Sequence, residues 1–337
     1  MVVCNLRAMI SVICPTYNEE KYIAHCIESI IIQDYPKDDL EVIFVDGMSS
    51  DKTRSIIQEY QLKHPFIKLI DNPQRIVPYA MNAGIKNAQG EIIFRIDAHA
   101  HYQPNYFSIL SKRLIELNAD NVGVMCKTDV LNKTPKTLAI KEVLSNKFGV
   151  GNSKFRIGID DIEEVDTVPF GCWKREVFDK YGLYDTRLIR NQDIELNKRI
   201  KLGGGKIYIV PETYCTYLAR ETFSALAKNN FANGKWNILT VFFTNNIRSL
   251  SIRHFIPLLF VTSLLAPAVL SLIYTPFIYI SLLSLVLYLL VICGVSIKLS
   301  FSKQLNLLYL IAAFSCLHIS YGWGSLMAIF KLPFIKK

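Results

Sequence analysis

The first hundred residues alternate short apolar runs with amphipathic stretches. Met9-Ile10-Ser11-Val12-Ile13-Cys14, Val42–Val45, Ile67–Ile70 and Glu91–Ile96 read as four buried strands. Between them, Ile23, Cys26, Ile27 and Ile30 recur at helical spacing within 19–33, and Ile56, Ile57 and Tyr60 mark a second helix that Ser50 or Asp51 is placed to cap. A third helix runs to about Lys86. Continuous apolar strands separated by helices predict a parallel sheet covered on both faces, an α/β fold. Ligands bind such sheets outside the carboxyl ends of the strands, where Thr16, Tyr17, Asp46 and Asp97 fall.

Residues 100–221 are mixed. Helical patterning appears near 107–117, 175–181 and 193–202, and strands are expected at 122–126 and 206–210; the region 145–165 is polar and contains glycine. Gly203-Gly204-Gly205 reads as a helix stop. From Phe255 to Ile297 there are 43 residues without a charge, interrupted by Pro257, Pro267 and Pro276. One crossing needs ~20 apolar residues, so this stretch suits a hairpin of two spans turning near Tyr274-Thr275-Pro276. Gln304–Phe330 is a further uncharged stretch of 27 residues. Arg248, Arg253, Lys298 and Lys303 place both flanks of the hairpin in the cytoplasm by the positive-inside tendency. A third crossing would carry Lys331, Lys336 and Lys337 to the far side; a turn back near Gly322-Trp323-Gly324 would avoid this.

Charge and cysteine usage sharpen the picture. The 337 residues carry a formal net charge of +9, 51% hydrophobic side chains and a mean hydropathy of +0.24. No Asp or Glu follows Glu221, whereas nine basic residues do, and the earlier part balances 29 bases with 29 acids. The basic excess therefore belongs to the most apolar segment and points to a membrane surface and its lipids as partner, not nucleic acid. The eight cysteines show no metal-ligand spacing, and several sit in apolar runs. Buried thiols fit a reducing compartment, and the apolar run before Pro15 is too short for a signal-peptide core, so a cytoplasmic domain on a membrane anchor is expected.

Four acidic segments punctuate the sheet half: Cys14–Glu20, Val45–Asp51, Arg95–His99 and Arg190–Asp193. A carboxylate at a strand end can accept hydrogen bonds from a base or ribose, although Asp46 can equally form a turn or cap a helix. Asp97 and His99, two apart on an extended segment, can face one divalent cation bridging pyrophosphate oxygens; His99 can also be a packed side chain. Asp193 reads as a carboxylate in a site or as an N-cap. Nucleophile–base pairs, zinc clusters and phosphate-binding glycine loops are not apparent.

The order of these segments carries a resemblance. SVICPTYNEEKYI, EVIFVDGMSSDKT, DNPQRIVPYAMNAGI, GEIIFRIDAHAHYQP, DTVPFGCWKREVFDKYGLYD, RNQDIELNKRI and NFANGKWN follow one another over about residues 10–237. In this the chain resembles inverting family 2 glycosyltransferases of the nucleotide-sugar-binding glycosyltransferase A fold, in particular the succinoglycan-biosynthesis ExoA-like group. The resemblance implies a cytoplasmic transferase domain over 1–237 (1–100 nucleotide-binding, 101–237 acceptor), a basic linker over 238–254 and a membrane domain over 255–331 with two to three helices. It implies that Pro15, Thr16, Tyr17, Glu19 and Asp46 line the nucleoside pocket and that Arg75 approaches the nucleotide. Asp97-Ala98-His99 stands in place of the family's metal-binding Asp-x-Asp, for Mg²⁺ or Mn²⁺. Asp193 matches the acidic residue of the acceptor-site motif and would be the general base. Ala232-Asn233-Gly234-Lys235-Trp236 replaces the Gln-x-x-Arg-Trp of processive synthases; Lys235 can still pair with diphosphate, and Trp236 can stack on a sugar or anchor at the membrane interface.

The expected activity is transfer of a hexose from a nucleotide diphosphate sugar, a UDP-sugar, to a polyprenyl-diphosphate-linked oligosaccharide. That would occur at the inner face of the plasma membrane, by a multi-pass protein, in exopolysaccharide or capsule assembly. Rival readings are a polyprenyl-phosphate sugar synthase, a processive polysaccharide synthase and a non-catalytic membrane scaffold.

Overall fold

The computed structural model describes residues 8–335; Cys4, one of the eight cysteines, and Lys336 and Lys337 lie outside them. The chain forms two compact units, one of residues 1–127 with 158–217 and one of 128–157 with 218–337.

The first is the sheet unit. β1 (Ile10–Thr16), α1 (Ile23–Ile31), β2 (Leu40–Asp46), α2 (Thr53–Lys63), β3 (Ile67–Asp71), α3 (Val77–Asn87) and β4 (Ile92–Arg95) alternate along the chain as the hydrophobic pattern requires. β5 (Ala100–Tyr102), α4 (Tyr106–Glu116) and β6 (Asn121–Asp129) follow. After α5 (Pro135–Leu144), α6 (Lys147–Val150) and α7 (Lys154–Ile157) come β7 (Glu163–Glu164), β8 (Cys172–Lys174), α8 (Glu176–Tyr181), α9 (Gln192–Leu202) and β9 (Ile207–Leu218). Among the described residues one sheet has the order β3-β2-β1-β4-β8-β6-β9-β5, with β7 beside β9.

β1 to β4 pair in parallel, as expected; β8 turns the sheet antiparallel by pairing with both β4 and β6. β9 runs through Leu218, well past the expected end at Val210. Pro211 lies between the stretch that pairs with β7 and the stretch that pairs with β5, where a missing N–H is tolerated.

A buried carboxylate clamps the amino-terminal ends of the parallel strands. Glu41 on β2 is 2% exposed. It accepts hydrogen bonds from the Ser11 hydroxyl on β1, from the Gln89 N–H just before β4 and, at 2.6 Å, from Lys68 Nζ on β3. Burial alone would raise the Glu41 pKa, but these donors outweigh it and hold the carboxyl below its ordinary value.

The second unit is helical. α10 (Phe223–Thr244) is followed by α11 (Ile256–Leu270), α12 (Phe277–Lys303) and α13 (Leu307–Lys331). Three helical segments, Ile252–Leu270, Phe277–Lys303 and Leu307–Phe334, are long and apolar enough to cross a membrane. The chain breaks between α11 and α12 at residues 271–276, where the hairpin turn was expected, and Pro276 occupies the cap of α12. α13, by contrast, runs unbroken through Gly322-Trp323-Gly324. These glycines are sites of close approach, not of a turn. A methyl group at Gly324 would strike the Phe231 carbonyl of α10, one at Gly234 the Tyr321 carbonyl of α13, and one at Gly322 the Pro257 carbonyl of α11. Small residues at crossings let helix backbones come together in an apolar setting. Ile140, Val143, Leu226, Ile292, Phe314 and Leu317 build a core joining α5, α10, α12 and α13, and Lys303 pairs with Glu142 at 2.8 Å across it.

Gly324→Val is expected to cost about 1–3 kcal/mol by overpacking, read as a fall in melting temperature in detergent. Gly294→Ala on α12, with open space around the added methyl, should leave stability unchanged or slightly raised. A depressed folded-state pKa at Glu41 contributes stability above the unfolded value of about 4.3. That contribution is lost as pH falls through the lower folded value. Glu41→Gln should therefore destabilise at neutral pH, with the gap to wild type closing below about pH 4 in chemical denaturation.

Candidate functional site

The parallel register brings distant residues to one edge of the sheet. Thr16 lies opposite Asp46, and Ile13 lies opposite Arg95, so the chain exits β1, β2 and β4 side by side. A cavity of about 140 Å³ opens there. Pro15, Thr16, Tyr17 and Glu19 line it from the end of β1, and Asp97 and His99 from the end of β4. Arg75 closes it from the loop between β3 and α3, together with Asn72. Seven residues singled out in the sequence thus meet around one space.

The loops are held in unusual conformations. Asn18, Met48, Arg75 and Asn191 all have positive φ, at 55°, 61°, 62° and 62°. Asparagine tolerates this region; for Met48 and Arg75 it is strained, and such strain concentrates at functional sites. The Arg75 guanidinium sits 6.0 Å from the centre of the Tyr17 ring, within cation–π range. The β1 and β2 exits interlock: Asn18 N–H donates to Ser49 Oγ at 2.8 Å, and Ser50 N–H donates to Asn18 Oδ1 at 2.9 Å.

Asp46 lies beneath this layer. It is fully buried, accepts from Ser49 N–H at 2.8 Å and Ser49 Oγ at 2.6 Å, and pairs with Arg54 Nη1 at 2.8 Å. Arg54 bridges onward to Asp71 at 2.8 Å. In this structure the Asp46 carboxylate holds the Asp46–Ser49 turn that carries Met48.

His99 Nδ1 stands 3.4 Å from Glu19 Oε1, and its ring meets Tyr217 edge-on at 5.6 Å. Asp97 receives a hydrogen bond at 3.5 Å from Arg95 Nη2. Arg95 is 5% exposed, and its Nε and Nη1 have no hydrogen-bond partner among the described residues. Burial opposes its charge, but the Asp97 and Asp193 carboxylates overcome that and push its pKa above the ordinary arginine value. Asp193, in the first turn of α9, therefore belongs to the same electrostatic cluster as Asp97. It is not the cap: Asn191 holds that position, and Asp193 Oδ1 accepts from the N–H of Ile194 at 2.9 Å.

Arg95, Tyr184 and Phe170 were not foreseen as site residues. Tyr184 is buried beside Arg95, with whose guanidinium its hydroxyl interacts; burial pushes that hydroxyl's pKa well up. The Phe170 ring, on a residue with φ 47°, lies 5.9 Å from the Arg95 guanidinium. The available signal was one arginine in the otherwise apolar run Ile92–Ile96. Nothing in the local pattern marks Phe170 or Tyr184, which arrive through folding. Lys235 and Trp236 belong to the helical unit, half-buried midway along α10.

Comparisons with known proteins agree with this geometry. Residues 11–182 match the family model described as glycosyl transferase family 2. A dolichyl N-acetyl-alpha-D-glucosaminyl phosphate 3-beta-D-2,3-diacetamido-2,3-dideoxy-beta-D-glucuronosyltransferase from Methanococcus voltae is 32% identical over 230 residues, 67% of this chain and 71% of that protein. The succinoglycan biosynthesis protein ExoA of Rhizobium meliloti (strain 1021) is 28% identical over 226 residues, 66% and 67% of the two chains. Among solved structures, the mannosyltransferase PcManGT from Pyrobaculum calidifontis, in complex with GDP-Man and Mn²⁺, superposes with a TM-score of 0.63 at 17% identity, covering 97% of this chain and 89% of that one. TarS 1–349 of S. aureus, in complex with UDP-GlcNAc, gives 0.52 at 18% identity, covering 94% and 90%. The mixed sheet has the glycosyltransferase A fold of these neighbours, and the chain belongs to glycosyl transferase family 2.

Proposed function

We propose that the protein is a membrane-anchored, inverting hexosyltransferase that uses a nucleotide diphosphate sugar, a UDP-sugar, and a lipid-linked oligosaccharide acceptor. Residues 1–237 would carry the chemistry on the cytoplasmic side of the plasma membrane and 255–331 the anchor, in exopolysaccharide or capsule assembly. The observation that carries this reading is the cavity at the carboxyl edge of the sheet, where Thr16, Tyr17, Glu19, Arg75, Asp97 and His99 meet.

In this reading Thr16, Tyr17 and Arg75 take the nucleoside end of the donor. The cavity they line is smaller than the roughly 300–1,000 Å³ usual for small-ligand clefts, so the donor must extend beyond it toward Asp97. The free N–H groups of Arg95 are suited to an anionic donor or leaving group. Asp193 acts as general base, taking the proton from the acceptor hydroxyl as that oxygen attacks the anomeric carbon. The nucleoside diphosphate leaves in the same step, and a single displacement inverts the configuration. This needs no enzyme nucleophile.

Asp97, His99 and Glu19 offer carboxylate oxygens and an imidazole at one cavity wall, a donor set that fits Mg²⁺ or Mn²⁺. Among the described residues no group of three or more His, Cys, Asp or Glu side chains is arranged to hold a metal ion alone. The remaining ligands would therefore come from diphosphate and water. When bound, such an ion would neutralise charge developing on the leaving diphosphate.

A hydroxyl acceptor is supported by the Methanococcus voltae relative, whose name specifies transfer to a sugar on a dolichyl phosphate. A polyprenyl-phosphate acceptor, already ionised, would not need Asp193.

In membranes supplied with labelled nucleotide sugars and lipid-linked intermediates, Asp193→Asn is expected to lower kcat by about 10²–10⁴-fold while leaving donor affinity intact. Persistence of near-normal transfer to bare polyprenyl phosphate would replace this reading with the sugar-phosphate synthase. EDTA should abolish transfer, and Mg²⁺ or Mn²⁺ should restore it. Asp97→Asn should raise the cation concentration needed for half-maximal rate; transfer indifferent to EDTA would remove the metal from the scheme.

A further inference from the structure

Asp97 and His99 stand on a tight turn, not on the extended segment expected from their spacing. The N–H of Ala100 donates to the Asp97 carbonyl at 3.2 Å and closes a four-residue turn, with Asp97 first and His99 third. Both residues line the cavity at the carboxyl edge of the sheet. The shape of this one turn therefore sets where a carboxylate and an imidazole stand relative to each other.

What holds the turn begins in β4. Successive backbone donors at the end of that strand go to alternate sides. The N–H of Arg95 donates to the Gly171 carbonyl, just ahead of β8, at 3.1 Å, and the N–H of Ile96 to the Ile13 carbonyl of β1 at 3.0 Å. The next donor in the series goes to a side chain: Asp97 N–H donates to the Tyr102 hydroxyl at 2.7 Å. The same hydroxyl lies 3.4 Å from the Asp97 carbonyl and can donate back to it. One phenol thus engages both backbone polar groups of the residue that opens the turn. The Asp97 carboxylate is met separately, by Arg95 Nη2 at 3.5 Å.

Tyr102 is anchored in its turn. It is 3% exposed, sits on β5 opposite Cys215 of β9, and meets the Tyr106 ring edge-on at 4.8 Å. His99 leans on the same strand, because its ring meets that of Tyr217, which pairs with Ala100. β5 is only three residues long, and it folds the turn back onto β9. The placement of Asp97 and His99 therefore depends on β9 as well as on β4.

We propose that Tyr102 is a positioning residue for a divalent cation: its hydroxyl locks the Asp97–Ala100 turn so that the Asp97 carboxylate and the His99 imidazole reach one ion. This rests on the cation reading above. Tyr102 touches neither ion nor substrate in it; the hydroxyl acts through the backbone that carries the two side chains. Groups that orient metal ligands from outside control affinity because a ligand free to swing must be ordered when the ion binds.

Mn²⁺ binding to the full-length protein in detergent tests this, with UDP present and with GDP in a parallel titration, read from the electron paramagnetic resonance signal of free Mn²⁺. Tyr102→Phe keeps the buried ring and deletes the hydroxyl, and should weaken binding about 10–100-fold. Tyr35→Phe removes another buried hydroxyl, one that donates to the Ala8 carbonyl ahead of β1, and should leave the affinity unchanged. In transfer assays the rate of Tyr102→Phe should climb back toward wild type as Mn²⁺ is raised to saturation. Unchanged affinity in Tyr102→Phe, with Asp97→Asn weakened, overturns this proposal and leaves the cation reading standing. An equal loss in Tyr102→Phe and Tyr35→Phe also overturns it, because the hydroxyl then acts through stability alone. Absence of Mn²⁺ binding by the wild type with either nucleotide, or binding indifferent to Asp97→Asn, removes the cation reading and this proposal with it.

Discussion

Glu41 is the constraint on which the sheet unit turns. A carboxylate buried in a parallel sheet must be surrounded by donors or cost several kcal/mol. Its donors here come from β1, from β3 and from the residue leading into β4. Satisfying it therefore fixes three neighbouring strands against β2 at their amino-terminal ends. A slip of one residue in β2 would carry the carboxylate to the opposite face of the sheet, away from its donors. With the amino-terminal ends pinned, the carboxyl-terminal exits follow in register, and Thr16, Asp46 and Arg95 reach one edge together.

At that edge a second buried charge organises the candidate site. Arg95 is the last residue of β4 and meets the carboxylates of Asp97, two residues on, and of Asp193, from a remote segment. Its Nε and Nη1 have no acceptor within ordinary hydrogen-bond geometry among the described residues, and its guanidinium interacts with the Tyr184 hydroxyl beside it. Native proteins rarely leave buried polar atoms unmatched, and such groups concentrate where a ligand or a reaction supplies the partner. The positive-φ residues around it, Met48 and Arg75 above all, are the backbone counterpart of the same compromise. Asp46 holds that strain in place by securing the turn that contains Met48.

The helical unit solves a different problem. Leucine-rich helices in hydrocarbon gain little from hiding apolar surface, so close backbone contact and the occasional charge pair decide how they associate. Gly234, Gly322 and Gly324 supply the close contacts, and Lys303 with Glu142 supplies the pair.

Much of this was legible in the chain itself. Continuous apolar runs, separated by stretches at helical spacing, determined the four parallel strands and their helices, because burial on both faces of a parallel sheet demands that pattern. The long uncharged stretches determined two to three bilayer-length helices, since no soluble core needs such length, and the structure has three helices of that kind among the described residues. Order and spacing of the acidic segments marked Thr16, Glu19, Asp97 and His99, because strand ends are where an α/β sheet exposes polar groups. Tertiary structure decided the rest. The antiparallel half of the sheet rests on β8, a three-residue strand too short to show a period. The role of Glu41 depends on donors from three other segments, and the turn that Asp46 holds depends on Arg54 and Ser49 folding over it. Arg95, Phe170 and Tyr184 come together only when β4, the loop before β8 and the segment before α9 converge. Gly322 and Gly324, which resemble a turn in one dimension, are contact points in three. Periodicity records which face of an element is buried; it does not record what is buried against it.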